Sequence, residues 1–307
     1  MVRRVCVILN EGGGTVQREG ADRQAKALAA SFAERGIEAV MIFAAGEDLS
    51  IKARAALGDE RGEGRFDGIV AAGGDGSVNA VAGALAGTAM PLGVLPLGTL
   101  NHFAQDLGLP SAVDAAVEVI AAGHVRRVDV AEVNGRVFVN NSSIGLYPYM
   151  VADRDRQRSD IGRGKWPAML IAFVRALRRF PRRRLAIRAA GWSRPCRTPC
   201  VFVGNNEYEF DLLMPGKRPV LDTGKLCLYV LNHRSPWGLL NMALRAAAGR
   251  LDQARDFAML RGLGEVEIVS RASRLPVALD GEVAVLRPPL RYRSRPRALR
   301  VFAPAPG

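Results

Sequence analysis

Histidine, cysteine and aromatic residues are all scarce in this chain, with 3 His, 4 Cys and 6% Phe, Trp and Tyr among 307 residues. Cys6, Cys196, Cys200 and Cys227 form no paired CxxC knuckles, and three histidines leave a zinc site little to work with. A Cys196–Cys200 bridge is feasible in principle, but reduced thiols in a cytoplasmic setting are the expectation. Long apolar runs are missing too. The longest uncharged stretch, Gly76–Gln105, is broken by Asn79, Pro91, Pro96, Asn101 and several glycines, so it predicts no membrane-spanning helix. The apolar run Val5–Leu9 is too short for a secretory signal and reads as a first buried strand. No internal repeat or low-complexity tract appears. A GxxxxGK[ST] P-loop is absent, and no GxGxxG opens the first helix, which weakens a dinucleotide reading.

Acidic charge is also in short supply. Lys plus Arg (43) exceed Asp plus Glu (30), giving a formal net charge of +13. Such a surface attracts polyanions, whether nucleic acid, anionic lipid or phosphorylated ligands, and charge alone does not choose among them. Few aromatics accompany the Arg clusters Arg182–Arg184 and Arg291–Arg300, so no stacking platform for nucleic acid is evident.

The first ~130 residues alternate strand-like and helical stretches. After Val5–Leu9 come a helical pattern over Ala21–Arg35, a strand over Ile37–Phe43 and a polar helix near Ser50–Leu57. The strand Gly68–Ala72, a helix over Ser77–Leu85, extended Leu92–Leu95 and a helix over Ala112–Ala122 follow. Alternation of this kind predicts an α/β domain, a parallel sheet with helices on both faces. The pattern then changes. Val128–Val133 and Arg136–Asn140 flank Asn134-Gly135, a hairpin signal, and strands dominate from Leu185 to Ala303. One helix interrupts them, starting at Ser235-Pro236 and reaching about Arg250. The predicted domains are 1–128 and 129–307, with the C-terminal residues free to return to the first. Between the strand-rich parts, Trp166, Met169, Leu170, Phe173, Val174 and Leu177 recur at helical spacing beside Arg175, Arg178 and Arg179. That is an amphipathic helix with a basic end, suited to a lipid surface or simply packed on its own core.

Chemistry concentrates in glycine-rich turns. Gly73-Gly74-Asp75-Gly76-Ser77 lies directly after an apolar strand and before a helix, a placement that exposes backbone N–H groups to a phosphate. Asp75 is unexpected in a pure anion site and suggests a metal-linked or hydroxyl-orienting role; read alone, the motif could instead be a structural turn, the lesser alternative. Leu95–Asn101 makes a second such loop and Asn10–Thr15 a third, all at strand ends where open α/β sheets bind ligands.

The chain resembles the diacylglycerol kinase catalytic superfamily, which includes sphingosine, ceramide and bacterial lipid kinases. The resemblance rests on Gly73–Ser77 (family GGDGT), Pro96–Asn101 (PxGTxN), Val128-Asp129, Phe138–Gly145 (FxNxxSxG), Leu221–Leu226 and the late Asp280-Gly281-Glu282. It implies an N-terminal domain like those of phosphofructokinase and NAD kinase, a C-terminal β-sandwich, and ATP with Mg²⁺ in the cleft between. By the same resemblance Asn10, Gly73, Gly74, Asp75, Gly76, Ser77, Gly98, Thr99 and Asn101 hold the nucleotide. Asp75, Asp280 and Glu282 are the catalytic candidates, with Asp280 the preferred base. Asp280-Gly281 by itself would be a hairpin turn. The implied activity is phosphorylation of a hydroxyl of diacylglycerol or a related lipid, by a cytoplasmic protein peripherally bound to an anionic membrane. A homodimer is left open and no nucleic acid partner is expected.

Departures from the family pattern are visible. His102 stands where the family has Asp, Asn10-Glu11 replaces Asn-Pro, and Tyr208–Pro215 lacks a glycine-rich segment. Asp222 precedes Thr223 rather than Gly, which leaves it only a candidate ligand for a structural Mg²⁺. The rival readings are an NAD kinase-like enzyme, which shares GGDG but not the Phe138–Ser143 strand, and a lipid-binding relative without turnover. Retention of Asp75, Asp280 and Glu282 argues against the second rival.

Overall fold

The computed structural model describes residues 2–11, 18–58, 66–151, 183–189, 192–211, 214–233, 235–248, 250 and 253–305. Gly12–Thr15, the Trp166–Leu177 pattern and Arg182 lie outside the described residues. The chain divides into two compact units, Met1–Val130 with Pro296–Gly307, and Ala131–Arg295.

The first unit is built on parallel strands: β1 (Arg4–Asn10), β2 (Glu38–Ala44), β3 (Gly68–Gly73), β4 (Leu92–Pro96) and the end of β18 (Leu290–Phe302). Their order is β2-β1-β3-β4-β18, and every pairing is parallel. Central strands buried on both faces must be apolar throughout, which is why β3 and β4 read GIVAAG and LGVLP. The helices are α1 (Arg18–Ala33), α2 (Asp48–Ala56), α3 (Asp75–Leu85), α4 (His102–Asp106) and α5 (Val113–Ala122). Leu28 and Phe32 of α1 and Val117 and Ile120 of α5 share one core with Val7, Val70, Leu95 and Phe302. Two strand glycines make room for this packing. A Cβ on Gly68 would lie 2.5 Å from the Phe302 ring, and one on Gly93 2.8 Å from Val70.

The second unit is an antiparallel β-sandwich. One layer contains β6 (Arg136–Phe138) paired to the end of β5 (Val125–Val133), and also the start of β18, β15 (Glu265–Ser270), β8 (Arg183–Ala189) and β9 (Trp192–Thr198). The other runs β14 (Phe257–Leu263), β13 (Leu226–Leu231), β10 (Cys200–Asn205), β7 (Asn141–Gly145), β16 (Leu275–Leu279) and β17 (Glu282–Leu286) in that spatial order. Alternation puts Leu185 and Ile187, Val201 and Val203, Val266 and Ile268, and Val277 and Leu279 into one shared core. A small hairpin of β11 (Phe210–Asp211) and β12 (Met214–Pro215) and two helices, α6 (Pro236–Ala247) and α7 (Gln253–Asp256), complete the unit.

The architecture matches the expected α/β domain followed by a β-sandwich; several boundaries move. Helix α3 begins at Asp75 rather than Ser77, so Asp75, Gly76 and Ser77 of the glycine motif lie in its first turn. Strand β6 ends at Phe138 rather than Asn140, and β7 starts only at Asn141.

Candidate functional site

In the first unit the glycine motif joins β3 to α3. Gly73 ends the strand, Gly74 is the helix N-cap in extended conformation, and Asp75 is the first helical residue. The leading N–H groups of a helix have no acceptor within it, and the helix dipole makes that end favourable for anions. The second loop packs directly on this one. A Cβ on Gly98 would sit 2.5 Å from the Gly74 Cα, and one on Gly73 would sit 2.5 Å from the Ser77 hydroxyl. Only glycine lets the two backbones approach so closely.

Asn101 shapes the second loop from within. It adopts a left-handed conformation at φ 51°. Its Oδ1 accepts the Gly98 N–H at 2.9 Å, and its Nδ2 donates to the Gly98 carbonyl at 2.8 Å. The Asp75 carboxylate accepts the N–H of Phe103 at 3.2 Å, which ties the first turn of α3 to the start of α4. Asn10, at the end of β1, donates from Nδ2 to the Ser77 hydroxyl at 2.7 Å, and Ser77 is buried. Asn10 and Ser77 therefore engage each other, Thr99 is exposed, and His102 opens α4. The carboxyl ends of β1, β3 and β4 thus gather Asn10, Gly73–Ser77, Gly98 and Asn101 on one edge. Backbone N–H donors in a cradle of glycines suit a polyphosphate.

In the second unit, Asp280 and Gly281 form the two-residue turn between β16 and β17, both with positive φ (46° and 88°). That is the geometry Asp-Gly favours in tight hairpins. The carboxylate does more than turn the chain. Its Oδ2 accepts the Val139 N–H at 2.7 Å, and its Oδ1 accepts those of Asn140 and Asn141 at 2.9 and 2.8 Å. These N–H groups lie at the break between β6 and β7. Burial of the carboxyl pushes its pKa up to about 6, against the opposing pull of the three N–H groups and the Arg218 charge. Glu282 opens β17 and is exposed.

Arg218 was not singled out by sequence reasoning, yet among the described residues it is the largest fully buried side chain. Its guanidinium donates to the Val139 carbonyl at 2.6 Å, the Asn205 carbonyl at 3.1 Å and the Asn140 Oδ1 at 2.6 Å, and lies over the Tyr208 ring. The segment 139–141 is therefore gripped from both sides, its N–H groups by Asp280 and its oxygens by Arg218. Nearby, Asn206 at φ 68° accepts the N–H and hydroxyl of Thr223, which fixes the loop carrying Asp222. Among the described residues no three His, Cys, Asp or Glu side chains gather as a metal centre.

Residues 4–133 match the diacylglycerol kinase catalytic domain. That domain runs from β1 to the end of β5 and contains every glycine loop described above. A diacylglycerol kinase of Staphylococcus epidermidis strain RP62A is 39% identical over 109 residues, 33% of this chain and 34% of the relative. A protein of Citrobacter koseri named "Probable lipid kinase YegS-like" is 41% identical over 83 residues, 25% of this chain and 28% of its own. The aligned stretches thus span about a third or less of these curated relatives. A solved diacylglycerol kinase structure from Bacillus anthracis strain Sterne superposes with a TM-score of 0.70 at 19% identity, covering 99% of this chain and 97% of that one. At such identity the likeness is one of fold, and it extends over both units.

Proposed function

We propose that the protein is a lipid kinase that transfers the γ-phosphoryl group of MgATP to a hydroxyl of diacylglycerol or a related lipid. The observation that carries this reading is the match of residues 4–133 to the diacylglycerol kinase catalytic domain, because it falls on the glycine loops whose close packing suits a polyphosphate. The nucleotide supplies the activated phosphoryl group. In this reading the α3 N-terminus, Gly73–Ser77 and Gly98–Asn101 bind and orient its phosphates, with Asn10 and Asn101 holding the loops in shape.

Phosphoryl transfer passes through a loose transition state, so positioning and charge neutralisation outweigh strong base catalysis. Asp280 is assigned as the base, accepting the proton of the acceptor hydroxyl. With a pKa of about 6 it is ionised at neutral pH yet basic enough to take a proton late in transfer. Glu282 supports it, and Asp75 orients the α3 turn.

The test is purified protein incubated with labelled ATP and a bacterial lipid extract, with a parallel NAD arm. A labelled phospholipid is expected, whose formation falls as pH drops through about 6 and declines on the order of a hundredfold or more in Asp280→Asn. Labelled NADP instead of lipid would move the protein to the NAD kinase reading. No label in either arm would leave a binding protein.

A further inference from the structure

Helix α6 carries two faces. Leu239 and Met242 point inward, packed with Leu146 and Leu231. Trp237, Asn241, Leu244 and Ala248, spaced at i, i+4, i+7 and i+11, are exposed on the opposite side. Trp237 is 78% exposed and Leu244 63% exposed; among the described residues Trp237 is the most exposed large apolar side chain.

The helix is held firmly. The Ser235 hydroxyl caps it by accepting the Gly238 N–H at 3.1 Å. The fully buried Asp256 of α7 accepts from Arg245 at 2.6 Å and pairs with His233 at 2.8 Å. Gly238 leaves the space His233 needs, since a Cβ there would meet the imidazole at 2.9 Å. A braced helix that keeps a tryptophan and a leucine in water is not explained by the core of its own unit.

We infer that the Trp237–Leu244 face of α6 docks on an anionic lipid bilayer. Charge points to that occupant. From Leu226 to Leu251 the sequence has no Asp or Glu, and it carries Arg234 before the helix and Arg250 after it, besides the Arg245 that is engaged with Asp256. Asp256, a carboxylate packed against it among the described residues, is buried and ion-paired with Arg245. Tryptophan is also the side chain most at home at a membrane interface, with an apolar body and a polar tip. A second copy of the chain fits less well. A stable dimer buries about 800 Å² per partner, several times what one tryptophan and one leucine can cover.

The inference rests on the lipid-kinase reading for its purpose, which is to bring the enzyme to its substrate, but the docking itself needs no turnover. Sedimentation of the full chain with phosphatidylglycerol-rich vesicles tests it, using the pair Trp237→Ser/Leu244→Ser and, as a control, Ile51→Ser. The paired variant should bind at least about tenfold more weakly, with its thermal midpoint unchanged, and the control should bind normally. A brominated lipid should quench a part of the wild-type tryptophan emission that is missing in Trp237→Phe. Phosphorylation of a short-chain, water-soluble diacylglycerol should be the same in wild type and the pair. Unchanged vesicle binding by the pair overturns the inference. So does loss of a dimer with vesicle binding intact, which would make the face a contact between copies. If wild type fails to phosphorylate the soluble substrate but the vesicle results hold, the kinase reading falls and the docking face stands.

Discussion

At the scale of single residues, Asp280 and Arg218 act as a clamp on three peptide units. Removing Arg218 would take its hydrogen bonds from the Asn205 carbonyl and the Asn140 side chain and leave the Val139 carbonyl with Asn205 Nδ2 alone of these two donors. Arg218→Met should therefore cost about 3–5 kcal/mol, read as a fall in the urea midpoint. Arg218→Lys should recover only part of this, because an ammonium cannot reproduce the guanidinium fork. Sequence alone did not disclose this arginine. In a chain rich in Arg, one flanked by Lys217 and Pro219 looks like any surface base, and its burial follows from strands far apart in the sequence. Gly73, Gly74, Gly98 and Asn101 were legible for the opposite reason: close backbone approach and a left-handed turn demand particular residue types locally. Asn10 and Ser77 illustrate the middle case: their residue types pointed to the strand ends, but the hydrogen bond between them joins segments 67 residues apart and has no local signal.

At the scale of elements, strand and helix types were readable from periodicity, while their ends were set by contacts elsewhere. Helix α3 starts two residues early because Gly74 can serve as N-cap and Asp75 is favourable in a first helical turn. Strand β6 stops short because the Asp280 carboxylate takes the N–H groups that a continued ladder would use. The join between α6 and α7 yields a prediction at this scale. Burial alone would raise the Asp256 pKa, yet the hydrogen bonds from Arg245 and His233 hold it below 3.8. A lowered carboxylate contributes stability above its unfolded value and loses it as pH falls through the folded one. Asp256→Asn should cost about 1.5–3 kcal/mol at pH 7. The gap in melting temperature should persist to pH 5 and begin to close only below 3.8, as followed by circular dichroism.

At the scale of the whole molecule, the net charge of +13 is a property no single contact carries. Among the described residues no helix is long and apolar enough to cross a membrane. Vesicle binding should therefore have a large electrostatic part: raising salt from 0.05 to about 0.5 M, which shortens the screening length from above 10 Å to a few ångströms, should weaken it severalfold. Binding to neutral vesicles as tight as to anionic ones would contradict this. The order of the two folds was evident from the change in pattern near residue 128. The route of the chain was not, since nothing local in Pro296–Phe302 says which sheet it will join.

That route has a consequence for how the protein is made. Val301 lies beside Leu92 at the margin of the parallel sheet, and Phe302 fills the space left by Gly68. A ribosome releases these residues only after every strand of the sandwich has been synthesised. The parallel-sheet unit must therefore wait, with one margin of its sheet unfinished, until its last strand has been made. A gene fragment stopped near codon 130 would encode the glycine loops without the strand that closes the sheet supporting them.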